Sequence, residues 1–285
     1  MNRQKIYEDI NDLFQSIVRK KNSGDLEKFF DFLKSSPHQA PFNNALVFAQ
    51  RPECVYYMTA DQWETIHNQK IKAGARPMII LFPFGPVKLV YDYESTEGPY
   101  TLDRNTCLEW WFEKQNSHLS VNTFDKTTRH IEQKYQIPLV AKEPDEFLRR
   151  HTLSTGGYAR YTDGHLEITL HPRYFPVSSS NATEAYGVLV HEIAHILLGH
   201  LGLQSYRETR KGEKVTMKLC EDRSHIGDSI IELEAELAAW LVFNRFGIDK
   251  NSNDYMATWL TGTEYWQQID ISKVLRVANI IFEMR

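Results

Sequence analysis

Val188-Leu189-Val190-His191-Glu192-Ile193-Ala194-His195-Ile196-Leu197-Leu198 is an apolar run broken by three polar residues in the spacing H-E-x-x-H. On an α-helix, residues i and i+4 share a face, so the imidazoles of His191 and His195 can reach one metal ion. Glu192, the next residue along, reaches a water on that ion from the same turn. The pattern predicts a helix carrying two metal ligands, His191 and His195, and a general base, Glu192. Asn181 is expected to cap this helix, with Glu184 three residues on, and Gly199 to end it. A helix that served packing alone would have no use for His-Glu-His in one apolar turn.

A catalytic zinc ion takes three protein ligands and a water, so a third ligand is expected elsewhere. Residues 228–246 read as a helix that offers Glu232, Glu234 and Glu236. Asp228, Glu232 and Glu236 fall four apart and form an acidic face that water can solvate. Glu234 shares its face with Ile230, Ile231, Leu237, Ala238 and Leu241. A carboxylate on an apolar face demands a positive partner. Glu234 is therefore the expected third ligand, with Ala235 and Ala238 allowing close helix approach. The alternative is a glutamate paired with an Arg or Lys. Glu232 is expected to orient a ligand histidine by hydrogen bond. Zn2+ is the expected ion. For the oxyanion donor, His200, His225, Tyr158, Tyr161 and Arg160 are the candidates. The strand 166–170 is a candidate edge for an extended peptide, with an internal strand as the alternative.

Composition narrows the class. Of 285 residues, 42% are hydrophobic and 25% charged, enough apolar material for a sizeable core. A net charge of −4 provides no global basic field for nucleic acid or anionic lipid. No apolar run is long enough to span a bilayer, and the polar start Met1-Asn2-Arg3-Gln4-Lys5 does not read as a secretory signal. Cys54, Cys107 and Cys220 are odd in number and far apart, which fits a reducing cytoplasm better than a disulfide scaffold. Cys107 falls in an irregular segment. A thiolate there is a candidate inhibitory ligand for the metal's open position; an inert thiol is the plainer alternative.

The periodicities predict an α+β chain. Helices are expected at 3–21, 25–33, 43–50, 59–66, 123–135, 251–260 and 271–282. Strands are expected at 55–58, 77–82, 87–93, 137–140, 158–161 and 166–170, with hairpins at Pro83-Phe84-Gly85-Pro86 and Asp163-Gly164. Residues 204–223 read as a polar loop. The organisation expected is a first region at 1–100, an irregular linker or covering segment at 101–122, and a metal-bearing domain at 123–285. In the first region Tyr56, Tyr57, Trp63 and Phe84 interleave with Arg51, Lys70, Lys72, Arg76 and Lys88. Aromatic platforms beside basic residues suit single-stranded nucleic acid, although most such aromatics are core.

Val190-His191-Glu192-Ile193-Ala194-His195-Ile196-Leu197-Leu198-Gly199-His200, followed by Glu232-Leu233-Glu234-Ala235 and Ala239, resembles the ImmA/IrrE metallopeptidases. Their pattern is H-E-x-x-H-x-x-x-G-H, then E-x-E-A-x-x-x-A. The resemblance covers about residues 150 to 250. It implies a helical zincin-like, gluzincin-type domain with a small β-sheet, His191, His195 and Glu234 on zinc, and Glu192 as base. Glu236 stands where the family usually has Asn. A second resemblance covers about residues 5 to 98. Pro41-Phe42-Asn43-Asn44-Ala45-Leu46, Gln50-Arg51-Pro52, Trp63, Gly74-Ala75-Arg76-Pro77 and Tyr91-Asp92 look like the N-terminal region of ArdC-type antirestriction proteins. That implies an α+β region with single-stranded-DNA contacts, for which Arg51, Trp63, Lys70, Lys72 and Arg76 are the candidates. The two-part layout is similar to the CapP proteases of bacterial anti-phage defence operons. These resemblances imply a cytoplasmic zinc endopeptidase that cleaves a helix-turn-helix repressor in stress or anti-phage regulation, activated by single-stranded DNA. The alternative is a single-stranded-DNA-binding antirestriction-type protein whose metal site is secondary.

Overall fold

Amphipathic stripes organise the N-terminal third around three helices, α1 (Arg3–Arg19), α2 (Ser23–Ser35) and α3 (Pro41–Gln50). The computed structural model describes residues 3–19, 23–36, 39–82, 85–107, 119–140, 156–162, 164–210, 212–248 and 263–285. Phe84, the helix expected at 251–260 and half of the 101–122 segment, residues 108–118, lie outside these residues. The chain forms two compact units: Met1–Gln115 with Leu260–Gln267, and Asn116–Trp259 with Gln268–Arg285.

In the first unit Phe14 packs against Phe29 at 5.6 Å between ring centroids, and against Trp266 at 6.2 Å. Trp266 belongs to a short helix, α8 (Thr263–Trp266), so the chain returns to this unit near its C-terminal end. Strands β3 (Met78–Phe82) and β4 (Gly85–Asp92) form the expected antiparallel hairpin, and β1 (Tyr57–Met58) pairs with the other side of β4. Helix α3 closes the outer edge of β3 with two side-chain amides. Asn43 donates to the carbonyl of Leu81 (3.1 Å) and accepts from its N–H (3.0 Å). Gln50 does the same with Ile79, at 2.8 Å for both bonds. A carboxamide offers a donor and an acceptor side by side, as a peptide group does, so α3 stands in for a neighbouring strand. Helix α4 (Ala60–His67) starts at a capping box between Thr59 and Gln62, and a two-stranded pair, β2 (Lys70–Ile71) with β5 (Thr96–Glu97), follows.

In the second unit α5 (Val121–Tyr135) begins at Ser120, whose hydroxyl accepts from Thr123 N–H. Strands β6 (Leu139–Val140), β7 (Gly157–Thr162) and β8 (His165–Leu170) form a sheet in the order β6-β8-β7. Of the two readings of 166–170 the internal strand holds: β8 is paired on both sides, and among the described residues β6 and β7 are the outer strands of this sheet. A Cβ on Gly156 or Gly157 would come within 2.8 Å of a Val188 methyl, so only bare backbone lets the start of β7 lie this close to the metal helix.

That helix is α6 (Ala182–Leu198). Its expected side-chain cap is absent. Asn181 Oδ1 accepts instead from Ser178 N–H at 2.8 Å, because the preceding turn claims the same acceptor. Gly199 ends the helix as expected, at φ +84°. Helix α7 (Asp228–Arg245) crosses the core with Ala235, Ala238 and Ala239 buried, and packs against α6 and α9 (Ile271–Phe282). Residues 204–223, expected to be a loop, contain a hairpin, β9 (Ser205–Arg210) and β10 (Glu213–Lys218). Only one of its faces carries apolar side chains, Tyr206, Val215 and Met217, and Glu208 sits among them, so the alternation that marks a half-buried strand is weak. Gln136 brackets Arg207 with a third amide clamp, at 3.0 and 3.3 Å. Helices and small sheets together make the chain α+β. No helix among the described residues is long and apolar enough to cross a membrane.

Candidate metal centre

One turn of α6 and one turn of α7 build the centre from matched i, i+4 pairs, His191/His195 and Glu232/Glu236. The two histidine Nε2 atoms lie 3.0 Å apart. Glu232 Oε2 is 3.3 Å from His191 Nε2, and its Oε1 is 3.5 Å from His195 Nε2. Among the described residues, His191, His195 and Glu232 form the group able to hold a metal ion, with ligand atoms all within 4.8 Å of one another. Tetrahedral zinc with bonds near 2.1 Å places its ligand atoms about 3.4 Å apart, so these spacings fit. Electrostatics agree with the geometry. Burial disfavours charge on His191, but hydrogen bonds to Glu232 and Glu236 and the charges of Glu192 and Glu232 outweigh it and raise its pKa to about 9. His195 is held down by burial and by the charge of His191. The locus favours a cation between the carboxylates.

Glu234, the expected third ligand, is corrected by this geometry. It is fully buried, and Arg223 meets both of its oxygens, Nη1 to Oε2 at 2.6 Å and Nη2 to Oε1 at 2.7 Å. His200 Nε2 lies 3.0 Å from Oε2, and the Asp270 N–H donates to Oε1 at 2.9 Å. Four donors occupy the four acceptor positions of the carboxylate, which leaves none for an ion. The positive partner demanded by its apolar surroundings is a guanidinium. Glu232, expected to orient a ligand from behind, is instead the carboxylate that stands with the two histidines in the group able to hold an ion, on a half-exposed side chain. Glu236 takes the orienting role, with Oε2 3.3 Å from His191 Nδ1.

The histidines and Glu232 open into a cleft of about 810 Å³. Its walls include Gly156, Tyr158 and Ala159 of the β7 side, Tyr174, and Glu192. Glu192 is buried, and burial together with the charge of Glu232 raises its carboxyl pKa to about 7, against the opposing pull of His191 and the Ala159 backbone N–H. Of the oxyanion candidates, Tyr158 and His200 line the cleft. Tyr161 points out, about half exposed; Arg160 is tied across the strands to Glu167 at 2.6 Å; His225 is exposed; His200 is buried behind His195. Tyr174 was not indicated by the sequence, and only its place in the cleft distinguishes it. Glu232 and Glu236 had a legible signal: their four-residue spacing matches that of the two histidines they face.

Cys107 lies in the first unit, fully buried with Val55, Tyr56 and Trp63, and burial with the charges of Asp92 and Asp103 pushes its thiol up to about 12. This is the reverse of a zinc-binding thiolate and favours the plainer alternative, an inert thiol, over the switch. Trp63, proposed as a stacking platform, is also corrected: it is fully buried and donates its indole N–H to Tyr91 O at 2.8 Å. Tyr56 and Tyr57 are buried too. Arg51 faces Asp92 at 3.8 Å, and Lys72 donates to Glu94 O. Lys70, Lys72 and Arg76 remain at the surface. Comparisons of the chain with protein-family models, curated proteins and solved structures returned no match.

Proposed function

We propose that this chain is a zinc-dependent endopeptidase of the zincin-like, ImmA/IrrE type. The observation that carries the reading is the convergence of His191 Nε2, His195 Nε2 and the Glu232 carboxylate beside Glu192, in a cleft walled by the edge strand β7. Zinc in this locus supplies a Lewis acid for the scissile carbonyl and a more acidic water. The remaining work belongs to the protein. The edge of β7 takes an extended peptide by strand addition. Glu192, with a carboxyl pKa near neutrality, accepts the proton of the attacking water and returns it to the leaving nitrogen. Tyr158, which lines the cleft, is the candidate to steady the developing oxyanion.

The substrate follows from resemblance: a helix-turn-helix repressor cleaved in the cytoplasm during stress or phage attack. The ArdC-like reading of the first unit, with single-stranded DNA as activator, rests on its sequence pattern and on the exposed Lys70, Lys72 and Arg76. The decisive experiment compares wild type with Glu192→Gln on a candidate repressor, with and without single-stranded DNA. The expected result is one zinc per chain in both proteins and cleavage by wild type alone. Equal cleavage by the two proteins sinks the peptidase reading. DNA binding by both with no cleavage by either favours a DNA-binding protein whose metal site is secondary.

A further inference from the structure

We propose that Arg223, Glu234 and His200 form a buried relay that sets the tautomer of His195 and so presents its bare Nε2 to the metal locus. The inference rests on the zinc reading of the site and extends it to positioning residues that do not touch the ion.

The proton positions follow in sequence from one end. A guanidinium stays protonated in proteins, so Arg223, bound to both Glu234 oxygens, fixes that carboxylate as an acceptor. Glu234 Oε2 lies 3.0 Å from His200 Nε2, which must therefore carry the proton. The Nδ1 of a neutral His200 is then an acceptor. It lies 3.0 Å from His195 Nδ1, which must donate. The remaining nitrogen of His195, Nε2, is left with its lone pair, 3.0 Å from His191 Nε2 and 3.5 Å from Glu232 Oε1. Reversing any one member would place a hydrogen on His195 Nε2, where a cation has to bind.

The two ligand histidines are thus set by different devices. His191 is oriented directly by Glu236, at the cleft wall. His195 is oriented through three residues, His200 and Glu234 buried and Arg223 part-buried. Arg223 is fixed by its own N–H to Gly199 O at 2.9 Å, and Glu234 by the Asp270 N–H at the start of α9. The relay joins the end of α6, the segment after β10 and the start of α9 to one imidazole.

Two measurements on the full-length protein test this. Long-range 1H–15N correlation spectra of the metal-free protein should show His195 protonated at Nδ1 and His200 at Nε2; the opposite tautomers overturn the proposal, whatever the metal affinity. Zinc affinity is then read by competition with a chromophoric chelator. His200→Phe keeps volume and removes the acceptor, and is expected to weaken zinc 10–100-fold. His200→Asn keeps an acceptor where Nδ1 stood and is expected to stay within about 3-fold of wild type. Wild-type affinity in His200→Phe overturns the relay and leaves the zinc reading standing. A wild-type protein that takes up no zinc overturns both the zinc reading and the proposed purpose of the relay.

Discussion

Glu232, Glu234 and Glu236 lie within five residues of one helix and have three different fates, each set by what faces them. Glu232 meets two imidazoles across the cleft, Glu236 meets the far nitrogen of one of them, and Glu234 meets a guanidinium in the core. Their substitutions should separate accordingly. Glu232→Gln removes a charged ligand and is expected to abolish stoichiometric zinc binding in equilibrium dialysis, with little change in apo-protein stability, because the side chain is half-exposed. Glu234→Gln leaves Arg223 buried against a neutral amide and is expected to destabilise the second unit by about 3 kcal/mol in urea unfolding. If Glu234→Gln loses zinc at unchanged stability while Glu232→Gln keeps it, the ligand assignment is reversed. Cys107→Ser is expected to leave basal proteolysis unchanged, since the thiol is a core group with a raised pKa.

At the scale of elements, close approach decides most of the geometry. Gly199 ends α6 at φ +84°, and a Cβ there would stand 1.8 Å from the carbonyl oxygen of Glu221. Backbone conformation and space both exclude a side chain, so Gly199→Ala should displace the 221–223 segment that carries Arg223. A loss of about 3 kcal/mol, or failure to fold, is expected on thermal unfolding. A well-folded Gly199→Ala protein of unchanged stability would contradict this packing. The edge of β3 is closed differently, by amides reaching from α3. Gln50→Ala removes two hydrogen bonds to Ile79 and exposes a strand edge. It is expected to cost about 1–2 kcal/mol and to promote concentration-dependent association by light scattering. Three of the residues that carried the likeness to antirestriction proteins, Asn43, Asn44 and Gln50, thus make bonds within the unit. Asn44 accepts from the Tyr57 hydroxyl at 2.6 Å.

The molecule as a whole is two units with separate cores, and the pH dependence of the first should be readable through Asp92. Burial raises its carboxyl pKa from 3.8 to about 6, against hydrogen bonds from Cys54 and the Glu94 N–H and the charge of Arg51. A folded-state pKa above the unfolded one means that folding takes up a proton. The associated stability is complete below about pH 3.8 and is lost as pH rises through about 6. Asp92→Asn should remove this slope, so the difference in urea midpoint between variant and wild type should change by the equivalent of about 2 kcal/mol from pH 4 to pH 7. A difference independent of pH would mean that Asp92 titrates normally. What was legible in the chain by itself was periodic or local: the α+β class, the helix bearing His191, Glu192 and His195, the stop at Gly199 and the hairpin at Gly164. Each depends on residues within a turn or two of one another, and hydrophobic spacing records such relations. The sequence also marked Glu234 correctly as a carboxylate that needs a positive partner, but burial alone does not say which cation supplies it. Arg223 comes from a segment that reads as loop, and only tertiary packing brings it to Glu234. The same packing turned Glu232 toward the histidines, put β7 at the sheet edge and sealed Trp63 and Cys107 in a core. Those outcomes depend on which elements meet across the fold, and that contact is absent from any local pattern of residues.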